Sequence, residues 1–493
     1  GLEALRLWHA GSLVEEHRFD DGADEVRDGF TWNVPTEAAP GAVLALRVEA
    51  TDASGRRSSA VRRLRVATGV VLEGDQVLDP ALLGDELTLG AGRFVLAGAS
   101  ELERLTLLDG AVLTSEAGRP LHLAVGGALH IHCGARIDHD GGGYGAATGL
   151  GTESAPLGVA GAQPDAGGSH GGLGGVSGAF GEGAELAAGE VYDSVFEPSM
   201  AGAAGAPGLG GPGLAGGGLI VITAGEVRVD GRIVARGAGG DIGRPAGGGG
   251  AVWLRTGTLA GHGSLDVSGG DAGACSAAEL AGAGGGGRVA LDVGVLDGFD
   301  PLEQAVAAGG AQRSCDGAAS GHAGAGTIFF REAGSHGTLA VIQPAGGALP
   351  VAATPLPQLG TGVVGRVGAE RSRTPTAEGG LWIEPLDPFR RFDLGLWGLD
   401  IAIGGSEYRV VDQSADRRRL LLEGAEGRVE AGDLFAGVYR FDRVVVRGGA
   451  RLEIGDGVDA TSFEVDEASS LVRGPDPEPA ADATSRGAVG EAP

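Results

Sequence analysis

Apolar and polar residues alternate with a period of two through short stretches punctuated by glycine, a pattern that predicts half-buried β-strands rather than helices. The alternation is clearest in 216–331, where one phrase occurs three times. RIVARGAGG (232–240) leads to GGGGAVWLR (247–255), SLDVSGGDAGAC (264–275) to GGGGRVALD (284–292), and EQAVAAGGAQRSC (303–315) to GAGTIFFR (324–331). Ile233, Leu265 and Ala305 share one slot, at spacings of 32 and then 40 residues. Each copy is a short alternating strand, a glycine corner of variable length and a second alternating strand. Units of this size with two strands apiece predict stacked coils that can bury their apolar faces only against one another. Val252 and Leu254, Val289 and Leu291, and Ile328 and Phe330 are expected to point inward. Arg255, Asp292 and Arg331 then form an outward ladder of opposite charges.

The flanking sequence divides on the same criterion. Residues 1–69 read as a small β-sandwich, with LALRVEATDASGRRSSAVRRLRVATG (44–69) as strand, polar turn and strand. Winding begins over 70–143, and RIDHDGGG (136–143) matches the later copies at Arg136, Ile137 and Gly141. Its exit strand is GGGLIVIT (216–223), so 144–215 is a long glycine-rich excursion from a coil region spanning 70–345. In 346–437 glycine thins and proline rises, and strands around 399–403, 408–411 and 420–422 predict a small antiparallel β-barrel or sandwich. YRFDRVVVRGGARLEIG (439–455) then restates ELERLTLLDGAVLTSE (101–116), Val444 taking the place of Leu105 and Gly449 that of Gly110. Coils are therefore expected to restart over 438–473, ahead of an acidic, proline-rich tail, 474–493, expected to be disordered.

Two stretches carry family likenesses. The TDASG turn closed by a valine-rich strand resembles bacterial immunoglobulin-like repeats, without the Cys–Trp–Cys core of antibody domains. GGSHGG (167–172), the Tyr192–Pro198 segment and the GGG–strand–DGRIVARG–GGGG–strand order resemble glycine-rich β-solenoid regions of very large bacterial surface proteins from high-GC genomes. That resemblance spans 70–345 and implies an extracellular architectural role with no catalytic residues. The expected fold is thus all-β: a glycine-rich parallel β-solenoid, an N-terminal Ig-like sandwich and a small C-terminal antiparallel domain.

Composition adds limits. Among 493 residues, 98 are glycine and only 4% aromatic, which suits thin layers of small side chains. Glycine lacks the every-third spacing of collagen. The net charge is −28 and every basic residue is arginine, which GC-rich codon usage explains and which argues against nucleic-acid partners. No apolar run is long enough to span a bilayer, and no signal peptide is visible. The start at Gly1 is read as an excision from a longer polypeptide, whose other domains are the expected partners.

Candidate chemistry is sparse. Cys275 and Cys315 follow equivalent GG corners in consecutive coils, so a Cys275–Cys315 disulfide and an oxidising compartment are expected. The alternative is two small buried residues at similar corners, and Cys133 is left as a free thiol. His130 and His132, with His122, Asp138 and Asp140 near, could hold a first-row metal, but the strand places them on a solvated wall. DDGAD (20–24), DHDGGG (138–143) and DGFD (297–300) could bind calcium but lack the β-roll and EF-hand spacings, so turns are expected. Ser169–His170 invites a nucleophile–base reading, yet neighbours on an extended chain point apart. His170 and Tyr192 are expected instead to hydrogen-bond glycine backbone in packed polyglycine-II-like strands. No catalytic residue, metal or cofactor is expected. The leading function is a non-enzymatic structural or adhesive segment at the cell surface, with possible self-association. The alternative is a glycan- or protein-binding module, with Trp382, Trp397 and Tyr408 as stacking surfaces. Third comes a polysaccharide lyase or hydrolase, which needs converging carboxylates.

Overall fold

A computed structural model describes residues 2–23, 43–65, 71–145, 165–176, 188–208, 210–240, 243–273, 281–313, 319–344, 349–369, 380–425 and 427–473. Their regular secondary structure is almost entirely β, and the chain divides into two compact units, 1–72 with 86–88, and 73–85 with 89–493. In the first unit, Ser12–Ala23, Leu2–His9, Val43–Asp52 and Arg57–Arg65 form one antiparallel sheet in that order. The TDASG turn is set by Asp52, whose Oδ1 accepts the amides of Ser54 and Arg56 at 2.9 Å each. A sandwich needs two sheets; the described residues of 1–69 make one.

In the second unit, successive strands go alternately to two sheets. Gly92–Leu96, Ala111–Ser115, Arg136–Asp138, Arg232–Val234, Ser264–Asp266 and Ala305–Val306 stack in one, all parallel. Ser100–Leu107, Leu121–Ile131, Leu219–Val229, Ala251–Ala260, Arg288–Asp297 and Thr327–Glu332 stack in the other, again parallel. The expected slot is observed: Ile137, Ile233, Leu265 and Ala305 are in register and buried. Leu254 and Leu291 are buried as expected, but Phe330 is half-buried while its neighbour Phe329 is wholly buried. The outer face is covered here: Ala290 and Phe329 belong to the core cluster that the C-terminal strands complete.

The exit strands are also longer than the alternation suggests. Leu219–Val229, Ala251–Ala260 and Arg288–Asp297 contain Gly225, Gly257 and Gly294, which lie one above another. A Cβ on Gly257 would sit 2.8 Å from the Gly225 carbonyl, and one on Gly294 2.5 Å from that of Gly257. Glycine recurs because the stacked backbones leave no room for a side chain.

The glycine runs are not corners but a lattice. In 246–250, the amides of Ala246, Gly247 and Gly248 donate to Gly282, Ala238 and Ala203 at 2.9, 2.8 and 2.9 Å; those of Gly249 and Gly250 return to the first two neighbours, at Gly285 and Ala235. The carbonyls of Ala246, Gly247 and Gly248 accept from Gly168, Gly270 and Gly217, three further segments. One segment thus bonds to six others, with a period of three residues and no bond within itself. That is the hydrogen-bonding habit of a three-residue extended screw, and none of Gly247, Gly248, Gly249 or Gly250 has a positive φ. Close approach selects glycine: a Cβ on Gly249 would lie 1.9 Å from the Val267 carbonyl, and one on Gly284 1.9 Å from that of Gly247. The shorter coils repeat at 18 or 19 residues, as in Gln76 against Phe94, Gly92 against Ala111 or Arg451 against Ser470. Additional residues in the longer coils supply the lattice.

A hairpin reverses the direction of winding. Thr338–Ile342 is antiparallel to Thr327–Glu332, and Leu434–Arg447 and Gly457–Val465 follow parallel to Thr338–Ile342. The restarted coil at 438–473 therefore runs opposite to the first set. Val444 and Leu105 are both buried, and Gly449 and Gly110 both turn with positive φ, as their matched sequences require. Thr361–Ala369, Gly380–Pro385, Asp400–Ile403, Ser406–Gln413 and Leu420–Glu423 pair antiparallel and join the same large sheet, so 346–437 shares the core of its neighbours.

Candidate functional site

The densest cluster of functional side chains lies where the excursion enters the lattice. His170 is completely buried, its Nδ1 2.7 Å from the Gly249 carbonyl and its Nε2 3.3 Å from Asp193 Oδ2. The ring stacks on Tyr192 at 4.8 Å between centroids, and the Tyr192 hydroxyl donates to the Ala201 carbonyl at 2.7 Å. Asp193 holds φ at +71°, a left-handed conformation that Asp tolerates better than most residues. In that pose its carboxylate accepts the amides of Ser194, Ser199 and Met200. Arg288 is also wholly buried, donating Nε to the Tyr192 carbonyl and Nη1 to Thr327 Oγ1, each at 2.9 Å. Its Nη2 has no protein partner. Burial presses the Arg288 guanidinium below its ordinary range and pushes the Tyr192 hydroxyl well above its own.

The same segment is tied to the C-terminal strands. Ser194 Oγ donates to the Trp397 carbonyl at 2.6 Å, Trp397 Nε1 to the Glu197 carbonyl at 2.8 Å, and Arg409 pairs with Glu197 at 2.8 Å. Apart from Arg288 Nη2, the polar groups named in this cluster are bonded to backbone or to a neighbouring side chain. As expected from their adjacency, Ser169 and His170 diverge: Ser169 Oγ accepts the Gly174 amide at 2.9 Å. Of the glycine-backbone bonds expected within the excursion for His170 and Tyr192, His170 makes one, but to Gly249 outside the excursion, and the Tyr192 hydroxyl goes to the Ala201 carbonyl instead.

The other candidate sites disperse. Asp138 is held by Arg136 at 2.8 Å and Asp140 by Arg236 at 2.6 Å, so both carboxylates are already paired. Asp300 caps the short helix Pro301–Gln304, accepting the Leu302 amide at 3.0 Å. The His130 and His132 rings meet edge-on at 6.1 Å, and desolvation lowers the His130 pKa. Among the described residues no group of three or more His, Cys, Asp or Glu side chains converges as a metal site. Cys275 and Cys315 lie outside the described residues. Their strands run side by side up to that point, the Ala272 amide donating to the Ala311 carbonyl at 2.9 Å and Arg313 pairing with Asp271 at 3.3 Å. Cys133 is free and exposed.

The aromatic surfaces also differ from expectation. Tyr408 is buried, Trp397 is half-buried in the excursion's core, and the Arg419 guanidinium lies 5.6 Å over the Trp382 ring. Phe389, in the turn after Gly380–Pro385, is 90% exposed beside Leu386 at 63%. Only its place in an Asp-Pro-Phe turn, where Asp387 Oδ1 accepts the Phe389 amide, could have signalled that. In the expected outward ladder, Arg255, Asp292 and Arg331 do stand in register. Asp292 pairs with Arg331, whereas Arg255 turns onto the Trp253 ring at 4.5 Å.

Compared with models of known families, with curated proteins and with solved structures, the chain matches none. No helix among the described residues is long and apolar enough to cross a membrane.

Proposed function

We propose that this chain is a non-enzymatic architectural segment of a large extracellular or cell-surface protein: a glycine-rich β-solenoid that spaces or anchors neighbouring domains. The Ig-like character of 1–69, secretion and the Cys275–Cys315 bond belong to the same reading. Its partners are the other domains of the same polypeptide and copies of itself, with surface glycan or matrix the partner of the binding reading below. One observation carries the proposal. The lattice bonds segment 246–250 to six others through backbone alone, which resists deformation in more than one direction. The buried titratable cluster at His170, Asp193 and Arg288 serves that backbone instead of facing solvent.

A binding module is the second reading, favoured by the exposed Leu386 and Phe389. A glycan array read together with an oligosaccharide-release assay separates the readings. Release would replace the scaffold with an enzyme, and specific retention lost on Phe389→Ala would replace it with a binder. Neither signal is expected.

A further inference from the structure

The last rung of the second unit is left open, and the consequence rests on the scaffold reading with its self-association. Gly457–Val465 pairs with Leu434–Arg447, and Ser470–Arg473 with Arg451–Ile454; among the described residues neither terminal strand has a partner on its other edge. Phe463 and Val465 stand in register with Val444 and Val446, which are fully buried. Leu471 likewise follows buried Leu452. The terminal side chains therefore occupy inward slots, yet Phe463 is 38% and Val465 40% exposed because no further rung covers them. A capped end would carry polar residues in those slots. Here the Arg473 guanidinium lies 4.7 Å over the Phe463 ring on an otherwise open edge. The charges on the rung are answered within the chain: Glu464 by Arg443 and Arg447, Asp459 by Arg440.

We propose that this edge closes on the same edge of a second copy, with strand Gly457–Val465 antiparallel to its counterpart about a two-fold axis at Phe463. In that register Phe463 meets its own equivalent, inward slot against inward slot, and Val465 meets the exposed Thr461, which stands at the Asp442 level of the neighbouring strand. Ser462 meets Glu464, and no like charges within 461–465 are opposed. An axis one residue later sets two Glu464 carboxylates face to face. An axis one residue earlier loses the aromatic pair. The second copy is the occupant that brings both an unpaired strand edge and apolar inward residues. An isologous contact uses up both open edges, so assembly stops at a dimer.

Sedimentation of the full chain across concentration and salt tests this. A monomer–dimer equilibrium is expected, tightening as salt screens two copies of net charge −28. Phe463→Lys and Val465→Lys, checked for an unchanged circular-dichroism spectrum, should each raise the dissociation constant roughly tenfold or more. Phe463→Cys in a Cys133→Ser background should give, on mild oxidation, a crosslinked peptide joining the two 463 positions. Three results would overturn the proposal. One is a monomer at every concentration. Another is a dimer that both lysine variants leave intact, and the third is species growing past the dimer. None of these touches the glycan-release assay, which tests the scaffold reading separately.

Discussion

Asp193 faces the imidazole of His170 at 3.3 Å in a part of the interior where neither residue exposes any surface. The other ring nitrogen of His170 points at the Gly249 carbonyl, so the pair joins the excursion directly to a lattice segment.

Breaking that pair should loosen the lattice. His170→Gln and Asp193→Asn are each expected to cost about 2–4 kcal/mol, because a buried polar group loses its partner. The double variant should cost less than the sum, with a coupling of about 1 kcal/mol or more from urea denaturation. Additive losses would mean that the two side chains act independently.

Glycine should be replaceable only where the backbone has space. Gly249→Ala places a Cβ 1.9 Å from the Val267 carbonyl and should cost about 3 kcal/mol or more. Gly368 lies in a strand with nothing within 4 Å of its Cβ position, so Gly368→Ala should be neutral or stabilising by up to about 1 kcal/mol. Comparing denaturation midpoints of the two variants checks the contrast.

Much of this architecture can be read from sequence because strands announce themselves through side chains. The slot shared by Ile233, Leu265 and Ala305 needs apolar residues at a fixed phase, and alternation reveals it. The lattice is less legible, since Gly247 and Gly284 have no side chains to show a phase; their partners are chosen by backbone proximity across the whole chain. The reversal at Thr327–Glu332 is hidden for a similar reason: a hairpin and a corner both read as glycine and serine, here Gly334, Ser335 and Gly337. The clustering of His170, Asp193 and Arg288 depends on that long-range packing. GGSHGG and the Tyr192 segment marked two of its parts, whereas Arg288 resembled any other strand residue.

Asp456 should give the protein an acid-favoured component of stability. Burial pushes its carboxyl up to about 6, against the amides of Leu359 and Gly360 that it accepts. The folded state then binds a proton more readily than the unfolded chain between about pH 4 and 6, so stability falls as pH rises through that window. Asp456→Asn cannot titrate. Relative to wild type it should gain up to about 3 kcal/mol between pH 4 and 7, measured from urea midpoints at each pH. A pH-independent difference would place the carboxyl near its ordinary value.

Non-reducing peptide mapping should recover Cys275 linked to Cys315, with Cys133 alone open to alkylation. Reduction is expected to lower stability by about 4 kcal/mol, the entropy of closing a loop of this length. Separate alkylation of Cys275 and Cys315 in native protein would remove the bond and the oxidising compartment with it.

The three-residue bonding habit of the lattice also affects how the molecule appears to a spectroscopist. Segments such as 246–250 contribute neither helix nor sheet ellipticity, so circular dichroism would score them as unordered chain. Their amides are nonetheless enclosed and bonded, and should exchange with deuterium as slowly as those of the flanking strands. A protein that looks partly unfolded by one technique would look rigid by the other.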